Sequence, residues 1–348
     1  MSEKNIAMPV LAEPDETAGF RGFSSRAAYG TPLTRVILTV GLLLFFALVW
    51  RIGPGDIGQL LWKANWALPF VLMPYTLVIG CEALGWWFAF PSGRVMRFND
   101  LLRFTIAIKA IQFLTPSIIQ AGEFMKVHLL RQNRVNVDVG VASVVVANTA
   151  IMSAEFLYIG LGLSLTLRYV AVEPIVAWSV TLGIIVMGLC VVGIFLWQRN
   201  GMFRPVIWMG RHIRLLTSFV ERHEDVLSST ESIVREYLEE KRRFAWSCLW
   251  FFMGWTAGIV EVWVLLHVLG LPSDLGSALV VQVWSVIVTR LTTFIPVNLG
   301  AQEAGTVMTF SFLGLSPESA MAFAVLRRLR QVGWTAVSLG YLTKLSRD

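Results

Sequence analysis

The sequence predicts an all-α polytopic membrane protein, with about six transmembrane helices and two proline-broken re-entrant hairpins arranged as an inverted repeat. Three observations support this fold class. Of the 348 residues, 55% are hydrophobic and only 15% are charged, whereas about a quarter of the residues of a soluble domain carry charge. Apolar runs long enough to cross a bilayer recur along the chain. Two further apolar runs are interrupted by proline at matching positions.

The composition excludes several classes of protein. A mean hydropathy of +0.64 excludes a soluble enzyme, a disordered protein and a nucleic-acid-binding protein, so we expect no nucleic-acid partner. The three cysteines, Cys81, Cys190 and Cys248, lie in apolar runs without the spacing of a disulfide framework or a zinc site. Because no catalytic, metal-binding or nucleotide-binding motif is recognisable either, we expect no catalytic residue, no metal and no cofactor.

Six segments are apolar and long enough to be read as membrane spans. They cover residues 34–50, 66–90, 139–167, 174–197, 244–268 and 318–342. Two other apolar stretches, 101–130 and 276–313, contain a proline near their middle. Since an internal proline removes a helical hydrogen bond, each stretch is predicted to form a re-entrant hairpin rather than one straight helix.

The positions of Lys and Arg in the loops predict the orientation. Arg21 and Arg26 precede the first span and Arg35 lies at its start, and loops rich in Lys and Arg remain in the cytoplasm. The same rule makes residues 1–33 a polar cytoplasmic N-terminus and also assigns the C-terminus to the cytoplasm. The charged loop 199–243 has an apolar stripe and is predicted to lie along the cytoplasmic membrane surface as an amphipathic helix.

The two broken stretches match each other as an internal repeat. Pro116 and Pro296 are each followed after seven residues by a glutamate, Glu123 and Glu303, and both pairs are 180 residues apart. We therefore predict a first membrane repeat over residues 34–168 and a second over 169–348. The predicted helix breaks are Pro116, Gly122, Pro296 and Gly300. Three spans separate the hairpins, so the repeats are predicted to have opposite orientations in the membrane.

Charged residues near the breaks are candidates for a substrate path, because a charge inside a bilayer is costly unless it is paired or hydrated. Glu123 and Glu303 either cap the helices that follow the breaks or act in proton coupling, cation coupling or headgroup binding. Lys109, Lys126 and Arg290 either bind a lipid phosphate, reach to the interface or pair with a hairpin glutamate.

The final predicted span carries three arginines, Arg327, Arg328 and Arg330. Arg327 and Arg330 share one helix face, which suits a phosphate or a pair of buried carboxylates. Arg327 and Arg328 complete the predicted substrate path. The expected carboxylate partners of the arginines are the other glutamates within apolar runs, Glu82, Glu155 and Glu261.

These residues carry a resemblance to a known family. The chain resembles the transmembrane region of the lysylphosphatidylglycerol synthases, a family of bacterial and archaeal membrane proteins described as flippase-like. The resemblance extends over about residues 34 to 342. It rests on Thr115-Pro116 through Gly122-Glu123, residues 126–130, Pro296, Gly300, Glu303 and residues 322–328. Within the family, the chain is most similar to stand-alone members found beside hopanoid-synthesis genes.

The resemblance implies that the protein moves a lipid, with an anionic or otherwise polar headgroup, between leaflets of a bacterial inner membrane through a cavity formed by the two hairpins. The soluble aminoacyl transferase domain of the bifunctional synthases does not follow the membrane region, so we expect no lysyl transfer. Two departures from the pattern bear on the cargo. Lys126 stands where the family often has arginine, and Ala147-Asn148 align with Arg327-Arg328.

Two alternatives to lipid transport remain open. One is a membrane-embedded transferase that modifies a lipid, which would need an acid or base and a donor site. The other is a noncatalytic scaffold subunit of a lipid or hopanoid synthesis system. Protein partners and oligomeric state are not predicted by the sequence.

Overall fold

The computed structural model describes residues 70–90, 96–114, 121–169, 174–201, 228–295 and 298–345, together with residues 50 and 55. These residues contain helices and no strand, which confirms an all-α fold for this part of the chain. The helices are α1 (Pro74–Phe88), α2 (Phe98–Leu114), α3 (Ala121–Gln132), α4 (Val137–Tyr169), α5 (Pro174–Gly201), α6 (228–239), α7 (Lys241–Val268), α8 (Leu275–Leu291), α9 (Ala301–Phe312) and α10 (Pro317–Leu345).

By length and composition, four helical segments among the described residues are suited to crossing a membrane. They are Phe70–Phe88, Val137–Leu167, Thr181–Gln198 and Lys241–Val268. These segments coincide with four of the predicted spans. The span predicted at 34–50 lies outside the described residues, apart from Trp50. The span predicted at 318–342 is helical, within α10, but its arginines make it too polar to be counted with the four. The number of six spans stays a prediction.

Each broken apolar stretch forms two helices, α2 with α3 and α8 with α9. Their bounds follow the repeat, since α3 and α9 are both 12 residues long and begin 180 residues apart, at Ala121 and Ala301. Val137 and Pro317, which begin α4 and α10, have the same offset. Pro116 and Pro296 lie outside the described residues. The helix bounds therefore repeat with the same offset as the sequence.

The helices of the two halves pack against each other reciprocally. Helix α4 of the first half packs on α8 of the second, and the equivalent α10 of the second half packs on α2 of the first. The equivalent helices α1 and α7 form the most extensive contact between any two helices of the described chain. Reciprocal contacts of this kind are expected when an approximate two-fold axis relates the two halves.

A close approach of backbones joins α1 to α7. The Ser247 hydroxyl donates a hydrogen bond of 2.7 Å to the carbonyl oxygen of Gly85. A Cβ atom at position 85 would lie 2.8 Å from the ring of Phe251. Only glycine leaves room for this ring, so Gly85 determines how closely the two helices pack.

The loop predicted at 199–243 lies only partly within the described residues, which resume at residue 228. Residues 199–201 belong to α5 and residues 241–243 to α7, so the predicted loop overlaps the ends of two helices. Helix α6 ends at residue 239, because Glu240 has a ψ of 64° that is not helical, and α7 begins directly after Glu240. Helix α6 buries the apolar side chains Val234, Tyr237 and Leu238 in the core, and the placement of the segment along the membrane surface stays a prediction.

Candidate functional site

The described helices enclose a large cavity of about 1290 Å³. Its described lining comes from α1, α2, α3 and α4 in the first half of the chain and from α5, α7 and α8 in the second. Most of the lining side chains are apolar, such as Val141, Ile151 and Ile184. A mainly apolar cavity with a few polar groups is typical of a site for a ligand with an apolar body.

Three carboxylate–cation pairs interrupt the apolar lining. Among the described residues of the cavity, Glu82 pairs with Lys109, Glu123 with Lys126, and Glu155 with Arg290. Each pair joins two charges that would be costly if they were buried separately. The cavity therefore receives its charged side chains as neutral pairs.

Glu123 and Lys126 lie on one face of α3, three residues apart. The Lys126 ammonium donates to both carboxylate oxygens of Glu123, at 3.0 and 2.9 Å. Both side chains are largely buried, with 17% of the Glu123 side chain and 10% of the Lys126 side chain exposed. Because Glu123 lies in the first turn of α3, its negative charge also offsets the positive end of the helix dipole.

Glu155 and Arg290 form the pair that joins the two halves. Arg290 on α8 donates through Nε and Nη2 to the two carboxylate oxygens of Glu155 on α4, with 2.6 Å between Nη2 and Oε2. Two parallel hydrogen bonds of this kind fix orientation as well as distance. Half of the Arg290 side chain is exposed in the described structure, so the guanidinium keeps polar atoms accessible.

An aromatic ring lies beside each cation of the cavity. Lys126 Nζ is 5.4 Å from the ring centre of Trp86, and Arg290 Cζ is 5.9 Å from that of Trp255. Lys109 Nζ is likewise 5.9 Å from the centre of the Tyr75 ring. A ring face attracts a cation most strongly where water is excluded. Each cation is thus held by a carboxylate and by a ring.

Glu303 is placed differently from its repeat equivalent. It is almost fully buried in the first turn of α9, where its Oε2 accepts a hydrogen bond of 2.7 Å from the Gly300 N–H. Gly300 has a φ of 79°, which favours glycine at this turn. Arg328 on α10 donates to the other oxygen of Glu303 at 2.7 Å. None of these three residues belongs to the described lining of the cavity.

Glu261 is the carboxylate partner of the two other arginines of α10. Arg330 Nη1 lies 2.5 Å from Glu261 Oε2, and Arg327 Nε lies 4.0 Å from Glu261 Oε1. Arg327 also donates to Gln282 Oε1 at 2.5 Å. Two buried guanidinium groups thus share one carboxylate, and Arg327 Nη1 and Arg330 Nε are buried without a hydrogen-bond partner in the described structure.

The expected partners of these arginines are corrected in two cases. Glu82 and Glu155 do not reach α10, because α1 and α4 direct them into the cavity towards Lys109 and Arg290. Of the three expected glutamates, Glu261 on α7 is the one that pairs with Arg327 and Arg330, whereas Arg328 pairs with Glu303. Helical periodicity indicates which face a side chain occupies, but the partner depends on which helix covers that face.

The predicted substrate-path residues fall into two groups. Lys109, Glu123, Lys126 and Arg290 line the cavity, as does Gly122. Gly122 is the second residue of α3, so it follows the break, and a Cβ there would lie 2.5 Å from the Gln112 side chain on α2. Its function in the structure is to allow close packing inside the hairpin.

The second group lies in α9 and α10 and at the turn before α9. Glu303, Arg327, Arg328 and Gly300 are all outside the described lining of the cavity. The first half of the chain therefore supplies most of the charged lining. The described residues also contain no cluster of three His, Cys, Asp or Glu side chains that would hold a metal ion.

Sequence reasoning missed the tryptophans of the cavity, Trp86, Trp255 and Trp284. Trp86 follows Glu82 by four residues, a spacing that brings both onto one face of α1 and was an available signal. The other two have no polar residue three or four positions away in the sequence. Their position at the cavity follows only from the packing of α7 and α8.

Comparison with known proteins identifies the family. Residues 33–340 match the family described as the lysylphosphatidylglycerol synthase TM region. The chain belongs to this family. It is also 24% identical over 311 residues to a protein named UPF0104 membrane protein from Methanothermobacter thermautotrophicus, covering 84% of this chain and 90% of the relative. No solved structure matches the chain.

Membership in the lysylphosphatidylglycerol synthase TM-region family agrees with the apolar helices of the structure. Together they identify a multi-pass membrane protein of a family connected with membrane lipids. The family match covers both helical hairpins and the cavity-lining helices α1–α5, α7 and α8.

Proposed function

We propose that the protein is an inner-membrane lipid transporter of the flippase-like kind, which moves a lipid with an anionic or otherwise polar headgroup between leaflets. The observation that supports this proposal is the cavity of about 1290 Å³, whose apolar lining is interrupted by three ion pairs. Acyl chains contact the apolar side chains of such a cavity, while a headgroup contacts the paired charges. Loop arginines favour cytoplasmic N- and C-termini.

The arrangement of the hairpins supports the same proposal. Broken helices at equivalent positions of two repeats are the usual location of a substrate path in transporters. Both arms of the first hairpin, α2 and α3, line the cavity, together with α8 from the second hairpin. The two halves pack on each other reciprocally, α4 on α8 and α10 on α2, but the first half supplies most of the charged lining of the cavity. We infer that the lipid moves when the two halves exchange these unequal environments.

The proposal is tested by blocking the cavity in a reconstituted system. Met152 lines the cavity and is 44% exposed, so Met152→Trp has room to fill the path without displacing the core. Leu161 on the same helix is 56% exposed and outside the described lining, which makes Leu161→Trp a matched control. Vesicles carrying a fluorescent phospholipid and an impermeant quencher report movement between leaflets.

We expect the wild-type chain and Leu161→Trp to move labelled lipid faster than protein-free vesicles, and Met152→Trp to abolish most of this excess. Movement at the protein-free rate by the folded wild-type chain, over a panel of anionic and neutral labelled lipids, would contradict the proposal. Equal movement by Met152→Trp and the wild type would contradict the assignment of this cavity as the path.

A further inference from the structure

We propose that the cavity selects a lipid headgroup without net charge, so that zwitterionic and polyhydroxyl headgroups bind in preference to anionic and cationic ones. This inference rests on the proposed function and names the substrate class of the same site. It narrows the expectation of an anionic or polar headgroup, for which the arginines of the final helix were among the candidate anion-binding residues. Those arginines lie outside the described lining of the cavity.

The charge balance of the cavity is the first argument. Its described lining contains three glutamates and three basic side chains, and each glutamate is paired with one of the bases. Arg328 and Arg330, which would add positive charge, pair elsewhere with Glu303 and Glu261. The described cavity therefore has no excess charge with which to attract an ionic headgroup.

The geometry of the pairs is the second argument. Lys126 contacts both oxygens of Glu123, and Arg290 presents two donors to Glu155. A phosphate monoanion that took either cation would leave the glutamate charged and unpaired in an apolar cavity. Such an uncompensated charge is strongly unfavourable at low dielectric. A cationic headgroup that bound either glutamate would be equally unfavourable, because it would leave the lysine or arginine charged and unpaired.

A headgroup without net charge avoids this penalty. Hydroxyl groups donate to carboxylate lone pairs and accept from the N–H groups that the pairs leave available, so the ion pairs remain intact. A zwitterionic headgroup presents its phosphate to the cation and its ammonium to the carboxylate, which preserves neutrality. The half-exposed Arg290 offers such N–H groups, and Trp255 lies beside it.

The test changes the charge of the cavity one unit at a time. Glu155→Gln leaves Arg290 unpaired and gives the cavity one positive charge, whereas Arg290→Gln leaves Glu155 and gives one negative charge. The double variant Glu155→Gln/Arg290→Gln restores neutrality. Arg242→Gln at the exposed start of α7 changes the charge of the chain outside the cavity lining, as a control.

The readout is the lipid retained by the purified full chain, measured by native mass spectrometry from an equimolar mixture. The mixture contains phosphatidylethanolamine, a glucosyl diacylglycerol, phosphatidylglycerol and a trimethylammonium diacyl lipid. Met152→Trp, which fills the cavity, identifies the share of lipid bound to the outer surface, and this share is subtracted. The folded state of each variant is checked by the symmetry of its elution profile.

We expect the wild type, Arg242→Gln and the double variant to retain the two net-neutral lipids above the ionic ones. Glu155→Gln is expected to raise the ratio of phosphatidylglycerol to neutral lipid about tenfold. Arg290→Gln is expected to raise the ratio of the cationic lipid to neutral lipid by a similar factor. If a single variant does not fold, the wild-type ranking alone decides.

The failure of this inference differs from that of the proposed function. Preferential retention of phosphatidylglycerol or of the cationic lipid in the wild-type cavity would overturn neutral selection, while lipid movement in vesicles would leave transport standing. Equal retention of all four classes would also overturn neutral selection. The absence of any lipid that Met152→Trp displaces, together with no movement in vesicles, would overturn both.

Discussion

Arg328 and Glu303 form an ion pair that ties α10 to α9, with 2.6 Å between Arg328 Nη2 and Glu303 Oε1. The equivalent carboxylate of the first half, Glu123, pairs with Lys126 on its own helix. At the repeat offset of 180, Thr306 aligns with Lys126 and Asn148 with Arg328. Each hairpin carboxylate therefore has a cation, but the cation comes from a different helix in each half.

The first prediction is that the cation paired with Glu123 can be moved from α3 to α4. Lys126→Thr removes the partner of the largely buried Glu123, and we expect it to lower the apparent unfolding temperature by about 5 °C. Asn148 lines the cavity, so there is room for a longer side chain there. Adding Asn148→Arg is expected to recover most of the loss.

Thermal unfolding in detergent, followed by tryptophan fluorescence, measures this effect. Asn148→Gln in the Lys126→Thr background is the control, because it lengthens the side chain without adding charge. A recovery by Asn148→Gln as large as that by Asn148→Arg would show that packing, and not charge, compensates.

The second prediction concerns Glu261, which neutralises two arginines. Glu261→Gln leaves the buried Arg327 and Arg330 without a negative partner, and we expect a loss of about 3–5 kcal/mol in the free energy of unfolding. Its counterpart on α1, Glu82, lies 179 positions earlier in the sequence and is 31% exposed towards the cavity. We expect Glu82→Gln to cost clearly less, because it leaves one cation, Lys109, unpaired beside the cavity instead of two in the packed interior.

Yield of folded protein and apparent unfolding temperature distinguish the two glutamine variants. Adding Arg330→Gln to Glu261→Gln removes one of the uncompensated charges and is expected to restore part of the stability. Equal losses for Glu261→Gln and Glu82→Gln would be inconsistent with the burial of these two carboxylates.

The third prediction concerns the contact of α1 with α7. Gly85→Ala introduces a Cβ 2.8 Å from the Phe251 ring, and we expect this overpacking to cost about 2 kcal/mol. Gly80 on the same helix has nothing within 4 Å of its Cβ position. Gly80→Ala is therefore a matched control, expected to be neutral or stabilising by up to about 1 kcal/mol. Chemical or thermal unfolding of both variants checks the contrast, which similar stabilities would disprove.

The fourth prediction is a dependence on pH at the start of α8. Asp274 accepts hydrogen bonds from the Ser277 hydroxyl at 2.5 Å and from the Ser277 N–H at 2.9 Å. These bonds favour the carboxylate and lower the pKa of Asp274 below its usual value. The stabilisation from this cap is present above the unfolded pKa of about 4 and is lost as pH falls through the lower folded pKa.

Asp274→Ala is expected to cost about 1 kcal/mol at pH 7. The difference in unfolding temperature between Asp274→Ala and the wild type should shrink as pH falls below about 4. Asp274→Asn keeps an acceptor for the Ser277 N–H but has no carboxylate to titrate, so its stability relative to Asp274→Ala should not depend on pH. A wild-type advantage over Asp274→Ala that is constant from pH 7 to pH 3 would refute the assignment.

Many of the helix bounds and helix faces can be predicted from the sequence, because they depend on the spacing of residues along the chain. The equal spacing of Pro116 to Glu123 and of Pro296 to Glu303 predicts two broken stretches with the same offset, and the bounds of α3 and α9 agree with it. The spacing of Arg327 and Arg330 predicts one shared face, and both arginines face Glu261. Local periodicity is sufficient for such predictions.

The partners in the ion pairs were harder to predict from the sequence. An ion pair requires two atoms within about 4 Å, and the identity of the helix opposite a given face is a property of the packing. Glu155 meets Arg290, 135 positions along the chain, because α4 packs on α8. Nothing in the surroundings of either residue in the sequence indicates this contact.

The sequence by itself determined the membrane character of the chain, its internal repeat and the clustering of its few intramembrane charges near two matched breaks. Only the tertiary structure decided that these charges separate into two environments, a cavity bounded mainly by the first half and a packed interior around α9 and α10. The physical reason is that the repeat equivalents Glu123 and Glu303 have the same local sequence position but different neighbours. Lys126 holds one beside the cavity, whereas Arg328 holds the other in the core.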